Sequence, residues 1–426
     1  MKKVICIIMA LCMLLVIVAC AADPAPATPA APATPPAQDA PAAQDAPAAQ
    51  DTPAAPADAG AAADDGVWQN VGGYCSAGHW YPPIHSDLDD LPVFGIGPFG
   101  EMGYGTDVLA LSAEDMQRLR DGNFRVAIAH HMLGNQVNYI KSGAIQSTLR
   151  DLGIEVVAVT DAGFDAAQLV SDLETVMALN PDVIISMPMD PVVLAGIFRR
   201  ISDAGIGLVF QQNVPDGFAL GDNYVLVKAD SFGHGVWSAR SMAAHLGYEG
   251  TVAMLIFDTP FFTTNERDRA FRETMANEFP CIEIVEIAGW TDMAMVGTVA
   301  DGVLARFPNL DGIYASWAAP AGSVVASAIS AGRPDLVITA TDMDADTAIS
   351  IFDGGLIRGS GVPQSYYTGI AEALAAAHLL LGNEIPQLIL TPSVPVTPAN
   401  VFEAWTRCFN VEHPPGLIEA RDRRGG

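Results

Sequence analysis

The chain is poor in basic residues. Among its 426 residues, 21 Lys and Arg stand against 49 Asp and Glu, which gives a formal net charge of −28. A protein that binds nucleic acid needs a basic surface to neutralise the phosphates. So acidic a chain is therefore predicted to have no nucleic-acid partner.

Cysteine is scarce as well. Three of the six cysteines fall within the first 20 residues, and the others are Cys75, Cys281 and Cys408. The odd number and wide spacing of these three match neither a disulfide framework nor a metal-binding motif. Two alternatives stay open for them: one bridge with one free thiol, or three unpaired and mostly buried cysteines.

Motifs for catalysis and metal binding are missing too. The chain contains no Gly-x-Ser-x-Gly, no phosphate loop and no His-Glu-x-x-His. His130 and His131 are adjacent, so on a strand they point to opposite faces and are poorly placed to share a metal. The acidic run at Asp342 resembles the start of a calcium loop, but Thr347 occupies the position that requires glycine. We expect no enzyme activity, no cofactor and no metal site.

What the chain does have is an unusual N-terminus. A lysine pair precedes fifteen apolar residues, 4–18, which is fewer than the roughly 20 that a membrane-spanning helix needs. The small residues before Cys20 resemble the bacterial lipobox, which implies a signal peptide over residues 1–19 and a lipid on Cys20. Residues 20–66 are rich in Ala and Pro, and this composition predicts an extended tether without a core. The predicted location is extracytoplasmic, with the protein lipid-anchored to the cell membrane.

From Phe124 onward, short β-branched runs alternate with segments of helical period. The ten predicted strands cover residues 124–130, 154–160, 182–187, 207–212, 224–230, 252–257, 282–288, 312–316, 336–342 and 355–361. Nearly all-apolar strands that alternate with helices predict parallel sheets covered on both faces. Ten strands exceed what one sheet of this size usually carries, so an α/β fold with two βαβ lobes is preferred over a single eight-stranded barrel.

The predicted strand ends carry mainly amides, carboxylates, one arginine and two tryptophans. The candidate ligand-binding residues are Asn135, Gln136, Gln212, Asn213, Asn265, Arg267, Trp290, Trp317, Asp342 and Gln364. Asp230 is a candidate for either a hinge or a ligand contact. Ligands of open parallel sheets bind beyond the carboxyl ends of the strands. Amides and carboxylates bind hydroxyl groups and indoles cover apolar faces, so the set predicts a neutral, polyhydroxylated ligand.

Several stretches together carry a family resemblance. They are Lys141-Ser-Gly-Ala-Ile, residues 165–191, Asp203-Ala-Gly-Ile, Asn265-Glu-Arg-Asp-Arg-Ala-Phe and Ile338-Thr-Ala-Thr-Asp. In this order and spacing, over about residues 124–411, the chain resembles the type I periplasmic binding proteins of the ribose- and galactose-binding branch. The resemblance implies two Rossmann-like lobes with parallel sheets, joined by a three-crossing hinge near Asp230, Val362 and Leu388.

The resemblance also implies roles for individual residues. The family's ligand contacts correspond here to Asn135, Gln136, Asn265, Arg267, Trp290 and Asp342, and Gln364 lies near a hinge glutamine. The chain departs from the family at Gln212-Asn213, where Asp-Arg is frequent, and at Trp317-Ala318, where Asn-Asp is frequent. These replacements favour a polyol, a modified sugar or a less polar ligand over ribose or galactose.

The implied domains follow the hinge. The N-terminal lobe covers residues 121–229 and 364–388, the C-terminal lobe covers residues 230–363 and 389–411, and residues 412–426 form a tail. Residues 67–120 precede the common fold. We interpret them as an extension that packs on the lobes, with a contact to a partner or the cell wall as the alternative.

The implied function is that of a substrate-binding component of an ABC importer. It would act as a monomer, capture a sugar or polyol between its closing lobes and deliver it to a permease and ATPase complex. One alternative is a ligand-sensing receptor that feeds a chemoreceptor or a histidine kinase. Another is a binding protein for a nucleoside or a furanose-derived signal.

Overall fold

The computed structural model describes residue 70 and residues 72–85 and 87–425, all of them within a single compact unit. The predicted signal peptide, the predicted lipid attachment at Cys20 and the predicted tether therefore lie outside the described residues. Within the described part, no helix is both long enough and apolar enough to cross a membrane.

The chain builds two α/β lobes in succession and then returns to each of them. The extension contributes β1 (Gly73–Tyr74), β2 (Trp80–Tyr81) and α1 (Ala113–Asp121). The first lobe begins with β3 (Arg125–His130), α2 (Gln136–Asp151), β4 (Glu155–Asp161), α3 (Ala166–Met177), β5 (Val183–Ser186), α4 (Ala195–Asp203), β6 (Gly207–Gln211) and β7 (Tyr224–Ala229). The second lobe follows with α5 (Ser231–His245), β8 (Gly250–Phe257), α6 (Phe262–Glu278), β9 (Ile282–Trp290), α7 (Val296–Arg306), β10 (Gly312–Ala315), α8 (Ala318–Ser330), β11 (Val337–Thr341), α9 (Ala345–Asp353) and β12 (Ile357–Pro363). The remaining elements are α10 (Ser365–Leu381), β13 (Leu388–Thr391), β14 (Ser393–Val396), α11 (Val401–Phe409) and α12 (Pro415–Gly425).

Each lobe contains one six-stranded sheet. The first sheet has the order β13-β7-β6-β5-β3-β4 and all its pairs are parallel. The second sheet has the order β14-β12-β11-β10-β8-β9, in which only β14 is antiparallel to its neighbour. The predicted two-lobed α/β fold is confirmed, and the ten predicted strands correspond to β3 to β12.

Helix α3 shows how the sequence sets these elements. The side chain of Asp165 accepts hydrogen bonds from the backbone N–H groups of Ala167 and Gln168, which caps the helix. Its apolar stripe, including Leu169 and Leu173, is buried against the first sheet. The helix ends at Met177, shortly before Pro181, which cannot continue a helix.

Three chain crossings connect the lobes, at Asp230, Gln364 and Pro392. The backbone N–H of Asp230 donates to the carbonyl of Thr391 at 2.9 Å, and Gln364 Nε2 donates to the carbonyl of Pro392 at 3.1 Å. Strand β13 stays in the first sheet up to Thr391, three residues beyond the crossing expected near Leu388. The three crossings are therefore hydrogen-bonded to one another in one hinge.

The extension contacts both lobes and the hinge. On the second lobe, the ring of Tyr81 stacks on that of Tyr248 with centroids 4.7 Å apart. At the hinge, the backbone N–H of Phe94 donates to Asp230 Oδ2 at 2.7 Å. On the first lobe, Tyr104 forms a parallel bridge to Ile389 of β13. The described residues of the extension thus run from one lobe to the other beside the three crossings.

Candidate functional site

The carboxyl edges of the two sheets face each other. Phe164 follows β4 of the first lobe, whereas Phe257 ends β8 of the second lobe and Phe261 precedes α6. The ring centroid of Phe164 lies 5.3 Å from that of Phe261 and 6.3 Å from that of Phe257. Because aromatic rings attract one another at such separations, these contacts bring the lobes together at the place where ligands of parallel sheets bind.

These rings belong to a larger group that we call the aromatic cluster. Its members are His131, Phe164, Phe257, Phe261, Trp290 and Trp317. Trp290 lies 5.0 Å from both Phe257 and Trp317, and His131 lies 6.2 Å from Phe164. The structure thus brings the two predicted tryptophans together and extends their apolar surface across the cleft.

A polar pair borders the cluster on the second lobe. Arg267 Nη1 donates to Thr341 Oγ1 at 3.0 Å and lies 3.9 Å from Asp342 Oδ2. The backbone N–H of Ala318, which follows Trp317, donates to Asp342 Oδ1 at 3.1 Å. The predicted residues Arg267, Trp290, Trp317 and Asp342 therefore lie in one connected group.

Three buried side chains in this region keep polar atoms without partners. Arg267 Nε, Trp290 Nε1 and His131 Nδ1 have no hydrogen-bond partner among the described residues, and all three side chains are more than nine-tenths buried. A buried polar atom without a partner costs about 1–3 kcal/mol, so such atoms are uncommon unless something else binds them. They leave hydrogen-bonding capacity for a polar molecule beside the aromatic faces.

Burial also changes the protonation of the site. Desolvation raises the pKa of Asp342 to about 6, although the positive charge of Arg267 opposes the rise. Desolvation, helped by the charge of Lys141, lowers the pKa of His131 to about 3. At neutral pH, His131 is uncharged and Asp342 is mostly a carboxylate that accepts hydrogen bonds.

Backbone strain marks the same edges. Phe164, Gln212 and Asp342 have φ angles of 68°, 63° and 57°, in the left-handed region that side-chain-bearing residues rarely adopt. Each lies just beyond the carboxyl end of a parallel strand. Strain of this kind persists where the surrounding structure enforces it, and it is frequent at binding sites.

The other predicted side chains of the first lobe have separate surroundings. Asn135 caps α2 by accepting a hydrogen bond from the N–H of Asn138 at 2.8 Å. Gln136 lines a separate cavity of about 650 Å³ together with Trp405 and other C-terminal residues. Asn213 Nδ2 donates to the carbonyl of Pro188 at 3.4 Å. The structure therefore does not join these residues to the aromatic cluster.

The remaining candidates are dispersed. Asn265 is exposed on the first turn of α6. The side chain of Gln364 donates a hydrogen bond to the carbonyl of Pro392 at the third crossing of the hinge. Gln212 Oε1 is buried without a partner among the described residues. Asp230 is fully buried and accepts from the N–H groups of Phe94 and Gly233, so it holds the hinge and the extension together. Their ligand roles stay predictions.

Sequence reasoning missed four members of the cluster: His131, Phe164, Phe257 and Phe261. Phe257 ends a predicted strand, which is a signal that could have identified it, whereas nothing in the sequence places Phe164 against the opposite lobe. His130 has a different role, since its Nε2 hydrogen-bonds Ser142 Oγ at 2.8 Å. Within the described residues, no group of three or more His, Cys, Asp or Glu side chains could hold a metal ion.

A buried ion pair also crosses between the lobes. Lys228 Nζ, on β7, lies 2.6 Å from Glu266 Oε2, on α6. The same ammonium donates to the carbonyl of Ile96 in the extension at 3.1 Å. Burial raises the pKa of Glu266, and the charge of Lys228 opposes that rise. The pair fixes the relative position of the lobes near the hinge.

Solved structures share this architecture. A solute-binding protein of an ABC transporter from Agrobacterium vitis, bound with alpha-D-tagatopyranose, has a TM-score of 0.62 at 22% identity, covering 68% of this chain and 100% of its own. A sugar-binding protein of a sugar ABC transporter from Bacillus halodurans has a TM-score of 0.59 at 26% identity, covering 66% and 99%. A 5-methylthioribose transporter solute-binding protein from Thermotoga lettingae, in complex with 5-methylthioribose, has a TM-score of 0.59 at 20% identity, covering 71% and 97%.

Likeness at such low identity establishes the type I periplasmic binding protein fold. No curated protein matches the chain. A family model does match: residues 126–384 fit the periplasmic binding protein domain, which is more than half of the chain and includes strands of both lobes. This family is one of extracytoplasmic solute-binding proteins and not of enzymes. The family resemblance predicted from the sequence is thereby confirmed, and the chain belongs to the periplasmic binding protein family.

Proposed function

We propose that this protein is the substrate-binding component of an ABC importer and that it captures a sugar, a modified sugar or a polyol between its lobes. One observation carries the proposal. The aromatic cluster spans both lobes and adjoins buried polar atoms of Arg267, Trp290 and His131 that have no partner among the described residues. A sugar offers both apolar C–H faces and hydroxyl groups, so it can use both kinds of surface.

The similar structures support this ligand class. The neighbours from Agrobacterium vitis and Thermotoga lettingae hold a pyranose sugar and 5-methylthioribose. A further solute-binding protein of similar fold, also from Agrobacterium vitis, holds allitol, a polyol. The wide aromatic surface here favours ligands that have an apolar face or substituent beside their hydroxyl groups.

The proposed mechanism is hinge closure, the known behaviour of periplasmic binding proteins. Ligand in the cleft touches Phe164 on one lobe and Trp290 on the other, and only the closed form offers both contacts. The ligand therefore shifts the population towards closure. The contact of Phe164 with Phe261 and the ion pair between Lys228 and Glu266 are the protein's own contributions to that form. The closed monomer would then dock on a permease and ATPase complex.

The proposed location includes a lipid anchor on Cys20, followed by the Ala- and Pro-rich tether. Two acyl chains suffice for stable membrane attachment. Replacement of Cys20 by Ser is expected to move the protein from the membrane fraction to the soluble fraction. Equal membrane retention of both forms would contradict the anchor.

A thermal-shift screen of the full chain tests the ligand class. Sugars, polyols, methylthio sugars and nucleosides are compared, because a ligand at about 100 times its dissociation constant adds about 2.7 kcal/mol to the free energy of unfolding. Stabilisation by a sugar or polyol, confirmed by calorimetric titration, is the expected result. Stabilisation by nucleosides alone would overturn the proposed ligand class and favour the nucleoside alternative.

A further inference from the structure

The extension and the second lobe bring two cysteines together. Cys75 lies in the loop of the β1–β2 hairpin, and Cys281 lies 206 positions later, directly before β9. Cys75 is buried in a cluster of packed side chains at the base of the extension, Cys281 packs against the same cluster, and both thiols are free. The sequence spacing gives no indication of this approach, because it results from the docking of the extension on the second lobe.

Hydrogen bonds next to the two cysteines fix the position of the β1–β2 loop relative to the start of β9. The N–H of Ser76 donates to Glu249 Oε2 at 3.0 Å, and the N–H of Gly250 donates to the carbonyl of Cys281 at 3.2 Å. Glu249 and Gly250 are adjacent in the second lobe. Glu249 thus binds the neighbour of Cys75, and Gly250 binds the backbone of Cys281. The extension also contacts the second lobe through Tyr81, whose ring centroid lies 5.2 Å from that of Phe279.

The chemistry of the pair suits thiol exchange. Burial acts to raise the pKa of Cys75, but hydrogen bonds from Cys281 and from nearby backbone groups outweigh it and leave the pKa lowered. The hydrogen bond from Cys75 raises the pKa of Cys281. Cys75 is therefore the thiol that forms a thiolate first and attacks a disulfide. Cys408 differs, because it is buried in α11 within the core and burial raises the pKa of its thiol.

We propose that Cys75 and Cys281 form a disulfide bond that joins the extension covalently to the second lobe, and that Cys408 stays reduced. The Cys75 thiolate attacks a disulfide RSSR and releases one RSH. The Cys281 thiolate then attacks the Cys75 sulfur of the mixed disulfide and releases a second RSH. The two protons of the cysteines end on the two RSH molecules, and RSSR is the oxidant. Extracytoplasmic compartments supply such disulfides, whereas the cytosol keeps thiols reduced.

The bond would anchor one end of a segment whose other end is held by the first lobe. Tyr104 exchanges backbone hydrogen bonds with Leu388 and Leu390 of β13, and the contacts of Phe94 and Ile96 at the hinge lie between the two ends. The extension would therefore be fixed to the second lobe even when its noncovalent contacts open.

Peptide mapping of the full chain tests the bond. The protein is treated with oxidised glutathione, alkylated in denaturant without reduction and cleaved with chymotrypsin, which releases residues 75–80 and 272–290. We expect these two peptides to be linked, to separate on reduction, and the peptide with Cys408 to be alkylated. Separate, alkylated Cys75 and Cys281 peptides from the oxidised wild-type protein would overturn the proposal, and this result does not require any variant to fold.

A second measurement uses matched variants. Reduction with dithiothreitol is expected to lower the melting temperature of the wild type and of Cys408→Ala by the same amount, of the order of several degrees. It should leave Cys75→Ser and Cys281→Ser unchanged. An equal response of all four proteins to dithiothreitol would contradict the bond. Neither measurement involves the ligand, so its outcome is independent of the proposed transport function.

Discussion

The two edges of the cleft differ in how their side chains are used. On the second lobe, Trp290, Trp317, Arg267 and Asp342 form one connected group, in which Trp290 and Arg267 are buried and Trp317 and Asp342 are partly buried. On the first lobe, the predicted residues are engaged separately, as Asn135 caps a helix and Asn213 bonds a nearby carbonyl. The first lobe contributes Phe164 to the aromatic cluster, where it contacts Phe257 and Phe261 and is still 36% exposed.

This difference suggests that the two lobes contribute differently to ligand binding. A buried, preorganised surface loses little side-chain entropy when a ligand arrives, so it contributes most of the affinity. A partly exposed ring on the opposite lobe gains its contacts only on closure. We therefore expect contacts on the second lobe to determine most of the affinity. Contacts on the first lobe are expected to form only when the lobes close.

The largest effect is expected for Trp290→Ala. The substitution removes an aromatic face and the unpartnered Nε1 donor, so the affinity for the ligand found by screening should fall more than tenfold, or more than about 1.4 kcal/mol, by calorimetric titration. Quenching of tryptophan emission by ligand should weaken in parallel. Trp405→Ala is the matched control, since Trp405 is equally buried in the same lobe but its Nε1 is bonded to the carbonyl of Glu412. Unchanged affinity in Trp290→Ala would remove this residue from the site.

The sequence predicted the fold far better than the cleft. Strands β5 and β6 follow directly from composition: apart from their last residues, Ser186 and Gln211, they are apolar, as burial on both faces of a sheet requires. Strands β13 and β14 were missed, since only Pro392 separates them and the predicted pattern has helical segments between strands. The contacts of Phe164 could not be predicted, because they depend on how one lobe rotates onto the other. Asn135 shows a second limit of sequence reasoning. Its position after a strand predicts a ligand contact, whereas in the structure its side-chain amide caps α2.

The next effect concerns Asp342 and pH. Hydroxyl groups donate stronger hydrogen bonds to the carboxylate than to the neutral acid, so bound ligand should lower its pKa from about 6. Affinity should therefore be constant above about pH 7 and fall about tenfold by about pH 5, as the free protein takes up a proton that the complex rejects. Calorimetric titrations over this range measure it, with Asp342→Asn expected to bind more weakly and without this pH dependence. An identical pH profile in the variant would show that another group titrates.

A smaller effect is expected on the first lobe. Phe164→Ala removes the ring that contacts Phe257 and Phe261, and an aromatic pair contributes about 0.5–1.5 kcal/mol beyond its buried area. Affinity should fall about fivefold, mainly through faster dissociation, because the closed form loses its contact across the lobes. Stopped-flow tryptophan fluorescence measures both rate constants. Phe99→Ala, which alters an exposed phenylalanine of the extension, should leave both rate constants unchanged. A loss as large as that of Trp290→Ala would remove the difference between the two edges.

The smallest effect on affinity is expected for Asn135→Ala, where cap and ligand roles make opposite predictions. A lost N-cap costs about 1 kcal/mol in the free energy of unfolding and leaves affinity within about twofold. Asp165→Ala is the matched control, since Asp165 caps α3 in the same lobe and should cost a similar amount in urea unfolding. If Asn135→Ala weakened binding severalfold while Asp165→Ala did not, the Asn135 amide would contact ligand in the closed form. The first lobe would then contribute polar contacts to affinity, and the proposed division between the two edges would be wrong.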